Sequence, residues 1–433
     1  MRRIRTGIAM ALGIGLLAGA LTSSAGARSL SAAGCSWPLT LRHINLAYPD
    51  DSADYWMTHF GAVPASSLVI RGRFPSARYF SFHAYDEAQR PVASISDHEI
   101  VPDGGSNPFD PSLGGRKGGT GTYTVRVLFE PKPEDPEPNT VYAGEMENGA
   151  RNPAGFVIYR IYIPDDPKEK TGGVPLPEIT LRTAGGAVEH ELGQCEPLPP
   201  PAGEQIDEAA RDSNYTYVGS NRTHVPGTYP VPKWKRFYGA DREFRDWCPD
   251  PNCQEAGPKT TSGFLANQQI SYLYARISHE YGELVVIKAK APTFPDTRAG
   301  EDVNSPRQVR YWSFCQNNDA TQRVVRCSPD HETVVDKRGY ATFVISDPED
   351  RPANATRANG VNYLEWGGFY YSGIVIYRHM LPARSFKEAI QNIPEGTPPE
   401  EVMKSYMPVA AYCETKTFEK TGAEGCLAAS TRE

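Results

Sequence analysis

Gly155-Phe156-Val157-Ile158-Tyr159-Arg160, with Pro164 four residues on, recurs as Gly373-Ile374-Val375-Ile376-Tyr377-Arg378, with Pro382. The two stretches lie 218 residues apart. The same shift carries Cys35 onto Cys253 and Cys195 onto Cys413, and it carries Gly121, ahead of Tyr123, onto Gly339, ahead of Tyr340. Between these anchors the register slips, because Arg78-Tyr79-Phe80-Ser81-Phe82 matches Arg310-Tyr311-Trp312-Ser313-Phe314 at an offset of 232. That slip reads as a 14-residue insertion in the second copy, around Thr293 to Arg307, cancelled later by a shorter loop. One repeated hexapeptide would be weak evidence. Two cysteines and two strand motifs sharing one offset are not chance, and the chain reads as two tandem copies of one unit.

Within the first copy, Leu68 to Phe74 and Tyr79 to Tyr85 alternate large apolar or aromatic residues with small or polar ones. Such alternation suits strands with one buried face. Tyr123 to Phe129 and Phe156 to Ile163 read the same way, and each run is bounded by Pro, Gly, Asp or Asn, which supply turn geometry. With 39 Gly, 38 Pro and 23 Tyr, and few apolar residues at helical spacing, the balance favours strands joined by turns. The expected fold is all-β: two tandem jelly-roll-like antiparallel sandwiches with few short helices. The helix candidates are Ser385 to Ile393 and Pro399 to Met407, the latter capped by Thr397.

The expected organisation is a leader over 1–27, copy one over 28–195, a linker over 196–252, copy two over 253–413 and a C-terminal tail over 414–433. The leader has Arg2, Arg3 and Arg5, an apolar run from about Ile8 to Leu21, and Ala25-Gly26-Ala27, the pattern of a secretory signal with a small-residue cleavage site. Its run is too short to span a bilayer, and no later segment approaches that length. A lipoprotein with Cys35 acylated after Ala33-Gly34 is the alternative, although Cys35 lies well beyond the apolar run. Loss of the leader takes the formal charge from −7 to about −10, which argues against nucleic acid or anionic membrane as the main partner. The expected location is secreted or cell-envelope. The linker opens with Pro197 and Pro199-Pro200-Pro201, a stiff spacer, and ends on Trp234-Lys235-Arg236-Phe237-Tyr238, which is expected to pack on a domain.

Eight cysteines in an exported chain imply four disulfides, but leave on the order of a hundred connectivities. If each copy ties its first strand to its end, Cys35 pairs with Cys195 and Cys253 with Cys413. Cys315 and Cys327 then close a hairpin unique to copy two, leaving Cys248 for Cys426. The rival pairing joins Cys248 to Cys253 and Cys413 to Cys426.

Candidate chemistry is sparse. His83, Asp86, Asp97, His98 and Asp103 form the densest set of acid–base or metal-ligand types, with His83, Asp86 and His98 the catalytic candidates. In copy two Cys315 stands where His83 does, so copy one would have to be the active one. The plainer reading is a hydrogen-bonded strand histidine with turn aspartates. Arg78 with Arg310, and Tyr159-Arg160 with Tyr377-Arg378, persist in both copies and could gather an anion through forked guanidinium donors. Equally, they could maintain the fold by stacking on tyrosine or bonding loop carbonyls.

The loop Gly104 to Gly121 brings Asn107 and Phe109 as further binding candidates and otherwise reads as disordered. It is no phosphate loop, since Gly118 and not Ser or Thr follows Lys117. Exposed rings among 23 tyrosines and 6 tryptophans would suit a sugar or lipid. The chain lacks a Gly-x-Ser-x-Gly elbow, a His-Glu-x-x-His helix, a Cys-x-x-Cys pair and an EF-hand loop. No cofactor is implied, and metal content is open. Sequons stand at Asn214, Asn221 and Asn354, relevant only to a eukaryotic route.

Arg78 to Asp86, the loop Pro102-Asp103-Gly104-Gly105-Ser106-Asn107-Pro108-Phe109 and the strand Tyr159 to Asp165 together look like a group of uncharacterised exported bacterial proteins. More distantly they resemble the β-sandwich of the domain-of-unknown-function family numbered 1214. The likeness covers most of copy one and only the strand motifs of copy two; it implies a jelly-roll-like sandwich and brings no activity. The expectation is a non-enzymatic exported protein that binds a glycan, lipid or other envelope component through loops at one end of each sandwich. The alternative is a metal-assisted or acid–base hydrolase or lyase acting on an extracellular substrate, with its site in copy one.

Overall fold

The computed structural model describes residues 35–40, 45–61, 66–113, 121–182, 188–195, 229–238, 263–319, 322–367 and 372–429. The leader, the prolines at 197–201, the loop centre 114–120, Asn214, Asn221, Cys248 and Cys253 lie outside the described residues.

Copy one contributes β1 (Leu39–Thr40), β2 (Ala53–Gly61), β3 (Ser67–Arg73), β4 (Ala77–Asp86), β5 (Pro91–Ser96), β6 (Thr122–Leu128), β7 (Thr140–Tyr142), β8 (Ala154–Pro164), β9 (Glu178–Arg182) and β10 (Val188–Leu192). Copy two contributes β11 (Trp234–Arg236), β12 (Ile270–Ser278), β13 (Leu284–Lys290), β14 (Tyr311–Asn318), β15 (Val324–Pro329), β16 (Tyr340–Ser346), β17 (Val361–Glu365), β18 (Ser372–Met380) and β19 (Val409–Cys413). The sheets run β1-β2-β8-β4-β5 and β10-β9-β3-β6-β7 in copy one, and β11-β12-β18-β14-β15 and β17-β16-β13-β19 in copy two. Strand for strand the orders coincide, except that copy two has no counterpart of β10 among the described residues. β7 runs parallel to β6 and β17 parallel to β16, so one sheet in each copy is mixed where pure antiparallel pairing was expected. The connections into both strands cross over instead of turning back.

The four predicted strand runs fall on β3, β4, β6 and β8. Their apolar positions, such as Ile70, Phe80, Phe82, Val125 and Tyr159, form the core of copy one, and Ile287, Phe314, Phe343 and Tyr377 do so in copy two. Gly155, the second residue of β8, has to be glycine because a Cβ there would meet the Tyr85 carbonyl oxygen at 1.8 Å. Trp234, assigned to the linker by sequence, lies in the core of copy two as part of its edge strand β11. The helices differ from expectation. Ser385 to Ile393 is irregular apart from one 3-10 turn, with Phe386, Ile390 and Ile393 buried in the core. Pro398 and not Thr397 precedes α1 (Pro399–Met403). The tail forms α2 (Thr415–Ala429), broken at Gly422, and lays Phe418 over Leu284, Val286 and Val344 on the outer face of its sheet.

Cys35 is bonded to Cys195, Cys315 to Cys327 across the β14–β15 pair, and Cys413 to Cys426. With its sulfur in a disulfide, Cys35 has no thiol to acylate. The inference joining Cys253 to Cys413 and Cys248 to Cys426 is corrected, because both Cys413 and Cys426 have another partner. The shared offset of Cys195 and Cys413 misled. Ser67 pairs with Arg182 on β9, whereas the matching Leu284 pairs with Cys413, so the structural counterpart of Cys413 is Arg182.

A second correction concerns the outward faces of β4, β8, β14 and β18. Every residue of β4 and β14 is buried. The sheets containing them pack outer face to outer face, with Tyr55, Tyr79, Tyr85 and Tyr162 meeting Ile270, Tyr311 and Met380. The polar residues of the alternation therefore face the other copy and not water. Arg78, fully buried, donates through Nη1 to Asp330, and its copy-two counterpart Arg310 donates through Nη1 to Asp97 Oδ2 at 3.2 Å. Each aspartate also accepts a strand amide, Phe80 N to Asp97 at 3.2 Å and Trp312 N to Asp330 at 3.1 Å. The Thr293 to Arg307 insertion reaches back onto copy one, where Asn304 donates to the Pro108 carbonyl at 2.9 Å and Arg298 to that of Pro164 at 3.1 Å.

Removing one partner of a buried ion pair strands the other charge. Asp330→Ala is therefore expected to lower stability by roughly 3–5 kcal/mol, and Arg78→Met with Asp330→Leu to regain most of that, read from urea midpoints.

Candidate functional site

The two copies exchange arms across this seam. Residues 45–50 of copy one lie on copy two, with the Tyr48 amide donating to the Gln322 carbonyl at 2.8 Å and Asn45 bonding both backbone groups of Val324. Residues 263–267, leading into β12, lie on copy one, with the amides of Gly263 and Leu265 donating to the carbonyls of Ala88 and Gln89. Each arm carries two successive non-glycine residues with positive φ, Ala47 and Tyr48 in one and Phe264 and Leu265 in the other. Such conformations persist only where surroundings over-determine them.

Between the arms is a cavity of about 110 Å³. Tyr48, Tyr55, Tyr162 and Asp50 line it from copy one, and Phe264, Tyr272, Ile374 and Ile376 from copy two. Arg160 and Arg378, matching residues of β8 and β18, enter it from the two sides. The Nη2 of Arg160 donates to the Leu265 carbonyl, and that of Arg378 donates to the Tyr48 carbonyl at 2.7 Å. Arg160 sits over the rings of Tyr55 and Tyr85, and Arg378 over that of Tyr272. Stacking and carbonyl bonding are therefore both present. They do not satisfy the groups: Nε and Nη1 of Arg160 and Nη1 of Arg378 are buried without a hydrogen-bond partner.

Asp50 is fixed differently. Its Oδ2 accepts from Tyr311 Oη at 2.9 Å and Ser313 Oγ at 2.8 Å, and its Oδ1 accepts from the Ser52 amide. Burial, and after it the charge of Asp50, pushes the Tyr55 phenol up to about 12. Burial likewise raises Tyr162 and Tyr48 well above the usual phenol range. The rings around the arginines are thus neutral near pH 7.

The other sequence candidates fall elsewhere. His83 is fully buried at the seam, its Nε2 accepting from the Gln268 amide at 3.1 Å and its Nδ1 against Ser81 Oγ at 3.2 Å. An accepting Nε2 leaves the proton on Nδ1, and burial, then the Arg160 charge, holds the ring's pKa well below the histidine range. Asp86 is clasped by Arg90, through Nε at 2.7 Å and the amide at 2.9 Å. Strand alternation puts it on the opposite face of β4 from His83. His98 bonds Ser96 Oγ at 3.1 Å in the turn after β5. Three groups with separate partners make no shared acid–base centre. Asn107 pins its own loop to the carbonyls of Asp97 and Ile100, and Phe109 packs in the core on Phe74 and Phe80. Tyr159 and Tyr377 stack on Phe82 and Phe314. Of the proposed binding residues, Arg160 and Arg378 reach the cavity, while Arg78 and Arg310 clasp the copies together.

Among the described residues, Asp50, Cys315 and Cys327 bring three possible metal ligands within 4.8 Å of one another, but the sulfurs are bonded together and offer no thiolate. Sequence reading missed the arms and also the repeat Asp97-His98-Glu99 and Asp330-His331-Glu332, offset by 233 residues, one from the register of Arg78 and Arg310. A search tolerant of that slip finds it.

No family model matches the chain, and no curated protein matches it. Solved structures similar to it include an uncharacterised protein of Burkholderia cenocepacia, 15% identical, covering 82% of this chain and 81% of that one at a TM-score of 0.45. A Vibrio parahaemolyticus protein is 10% identical over 85% and 90% of the two chains, at a TM-score of 0.39. Among the described residues no helix is long and apolar enough to cross a membrane.

His379 is also fully buried, and burial depresses its pKa to about 3. Both His83 and His379 stay neutral in the folded chain where unfolded histidine takes up a proton, so their contribution is intact above about pH 6.5 and is lost as pH falls. From pH 6.5 to 5 stability is expected to drop by about 1 kcal/mol per pH unit for each histidine, and His379→Gln to remove one share of that slope, measured by urea unfolding across the range.

Proposed function

We propose that this chain is an exported, non-enzymatic binding protein that holds a small ligand in the seam between its two sandwiches, a relative of the family numbered 1214. The observation that carries this is the cavity between the exchanged arms, lined by aromatic rings and by two buried arginines, Arg160 and Arg378, whose guanidinium groups are only partly hydrogen-bonded. Concave sites with a largely apolar lining and a few convergent polar groups are the usual form of small-molecule sites. The site's place at the junction of two domains suits a binding role, and both sides of it come from duplicated elements. Three disulfides among the described residues suit an oxidising compartment such as the periplasm or exterior. The arms, and not the loops at the sandwich ends, are the proposed contact surface. His83, Asp86 and His98 have no part in it.

Thermal shift of the purified chain against small organic acids, fatty acids and oligosaccharides tests this. A ligand at about one hundred times its Kd stabilises by roughly 2.7 kcal/mol, a rise of several degrees. Ile376→Phe, which fills the cavity, is expected to weaken that binding by about tenfold or more. Silence across the whole panel at millimolar concentration would refute the proposal.

A further inference from the structure

Resting on that reading, we infer that the ligand is a small organic monocarboxylate with a flat apolar body, its carboxylate seated between Arg160 and Arg378. Both arginines are 2% exposed, yet neither forms an ion pair among the described residues. Three of their nitrogens have no acceptor among the described residues. Buried donors left without acceptors are rare because each costs free energy, and a buried guanidinium without a counter-charge costs more. The forked, planar donors match the two oxygens of a carboxylate.

Charge decides the valence. Arg276, the third arginine lining the cavity, is answered by Asp319 at 3.4 Å. Among the described residues Asp50 is the one carboxylate in the lining, and it stands against two arginines. One positive charge is left over, which suits a monoanion and not the dianion of a phosphate ester. The oxygens of Asp50 accept from Ser52, Tyr311 and Ser313, and neither accepts from Arg160 or Arg378.

Shape and lining decide the body. Phe237, Phe264, Tyr272, Tyr274, Ile374 and Ile376 offer ring faces and aliphatic surface. A cavity of about 110 Å³ has room for roughly ten heavy atoms, the size of benzoate.

Titration calorimetry on the full chain separates the possibilities, with benzoate, its neutral isostere benzamide and inorganic phosphate as probes. Benzoate is expected to bind at least about tenfold tighter than benzamide or phosphate. Arg160→Gln and Arg378→Gln are each expected to erase most of that preference while leaving benzamide within about threefold of its starting affinity. Equal binding of benzoate and benzamide would overturn the carboxylate assignment while leaving a seam-binding protein intact, and so would an oligosaccharide or neutral ligand binding where benzoate does not. Phosphate binding more tightly than benzoate would overturn the apolar body. If nothing in the wider panel binds, both readings fall together. Should one variant fail to fold, the other and the benzoate-to-benzamide ratio of the unaltered chain still decide.

Discussion

Arg78 is fully enclosed and its charge is answered by an aspartate of the other copy, while Arg310 returns the same contact from the opposite side. Each arginine finds its carboxylate in the other copy, so the pair of contacts fixes one relative orientation of the two sandwiches. That docking turns what would be ordinary two-layer sandwiches into a four-layer stack with strands buried on both faces. It also dictates side-chain chemistry. The seam faces of β4 and β14 carry Tyr79, Ser81, His83 and Tyr85, and Tyr311, Ser313, Cys315 and Asn317, where a solvated face would carry lysine and glutamate. Small hydroxyls and phenols can be enclosed at tolerable cost because single hydrogen bonds satisfy them, as the Tyr79 phenol is satisfied by Gln269 at 3.0 Å.

The fold was legible wherever it depended on local pattern. The period-two alternation located β3, β4, β6 and β8, and the repeated hexapeptide revealed that whatever one half is, the other is too. The seam was invisible for a physical reason: alternation of apolar with small polar residues is the signature of a strand facing water, and nothing in a single strand distinguishes water from a second hydrogen-bonding sheet. The cysteines show the limit of arithmetic. Two residues at one offset coincide in number but not in topology, since copy one continues past β9 into β10 while copy two turns after β19 into a helix. Of the site, Arg160 and Arg378 were readable because both copies keep them, but their role depended on arms that no strand pattern announces.

Duplication separates what the fold requires from what it tolerates. Residues that hold the seam recur: Arg78 and Arg310, Asp97 and Asp330, Arg160 and Arg378, Tyr55 and Tyr272. Some of the departures lie near the cavity. His83 of copy one receives an amide from Gln268, whereas its counterpart Cys315 is locked to Cys327, whose amide turns to Asp51. Ser52 faces Gln269 across the same pseudo-symmetry.

The most consequential departure is Asp50 against Asn267. Both sit at the same place in their arms; each accepts from a seam tyrosine, Tyr311 for Asp50 and Tyr79 for Asn267, and each amide donates to the phenol five residues on. The two arms share this framework, and they differ in charge. Aspartate in both arms would balance the two arginines and leave the cavity neutral, with no call for an anion. Asparagine in both would leave two buried positive charges facing each other, which even a well-placed monoanion would not cancel. One of each leaves a single uncompensated charge, so the asymmetry between otherwise matching arms sets the electrostatic demand of the cavity.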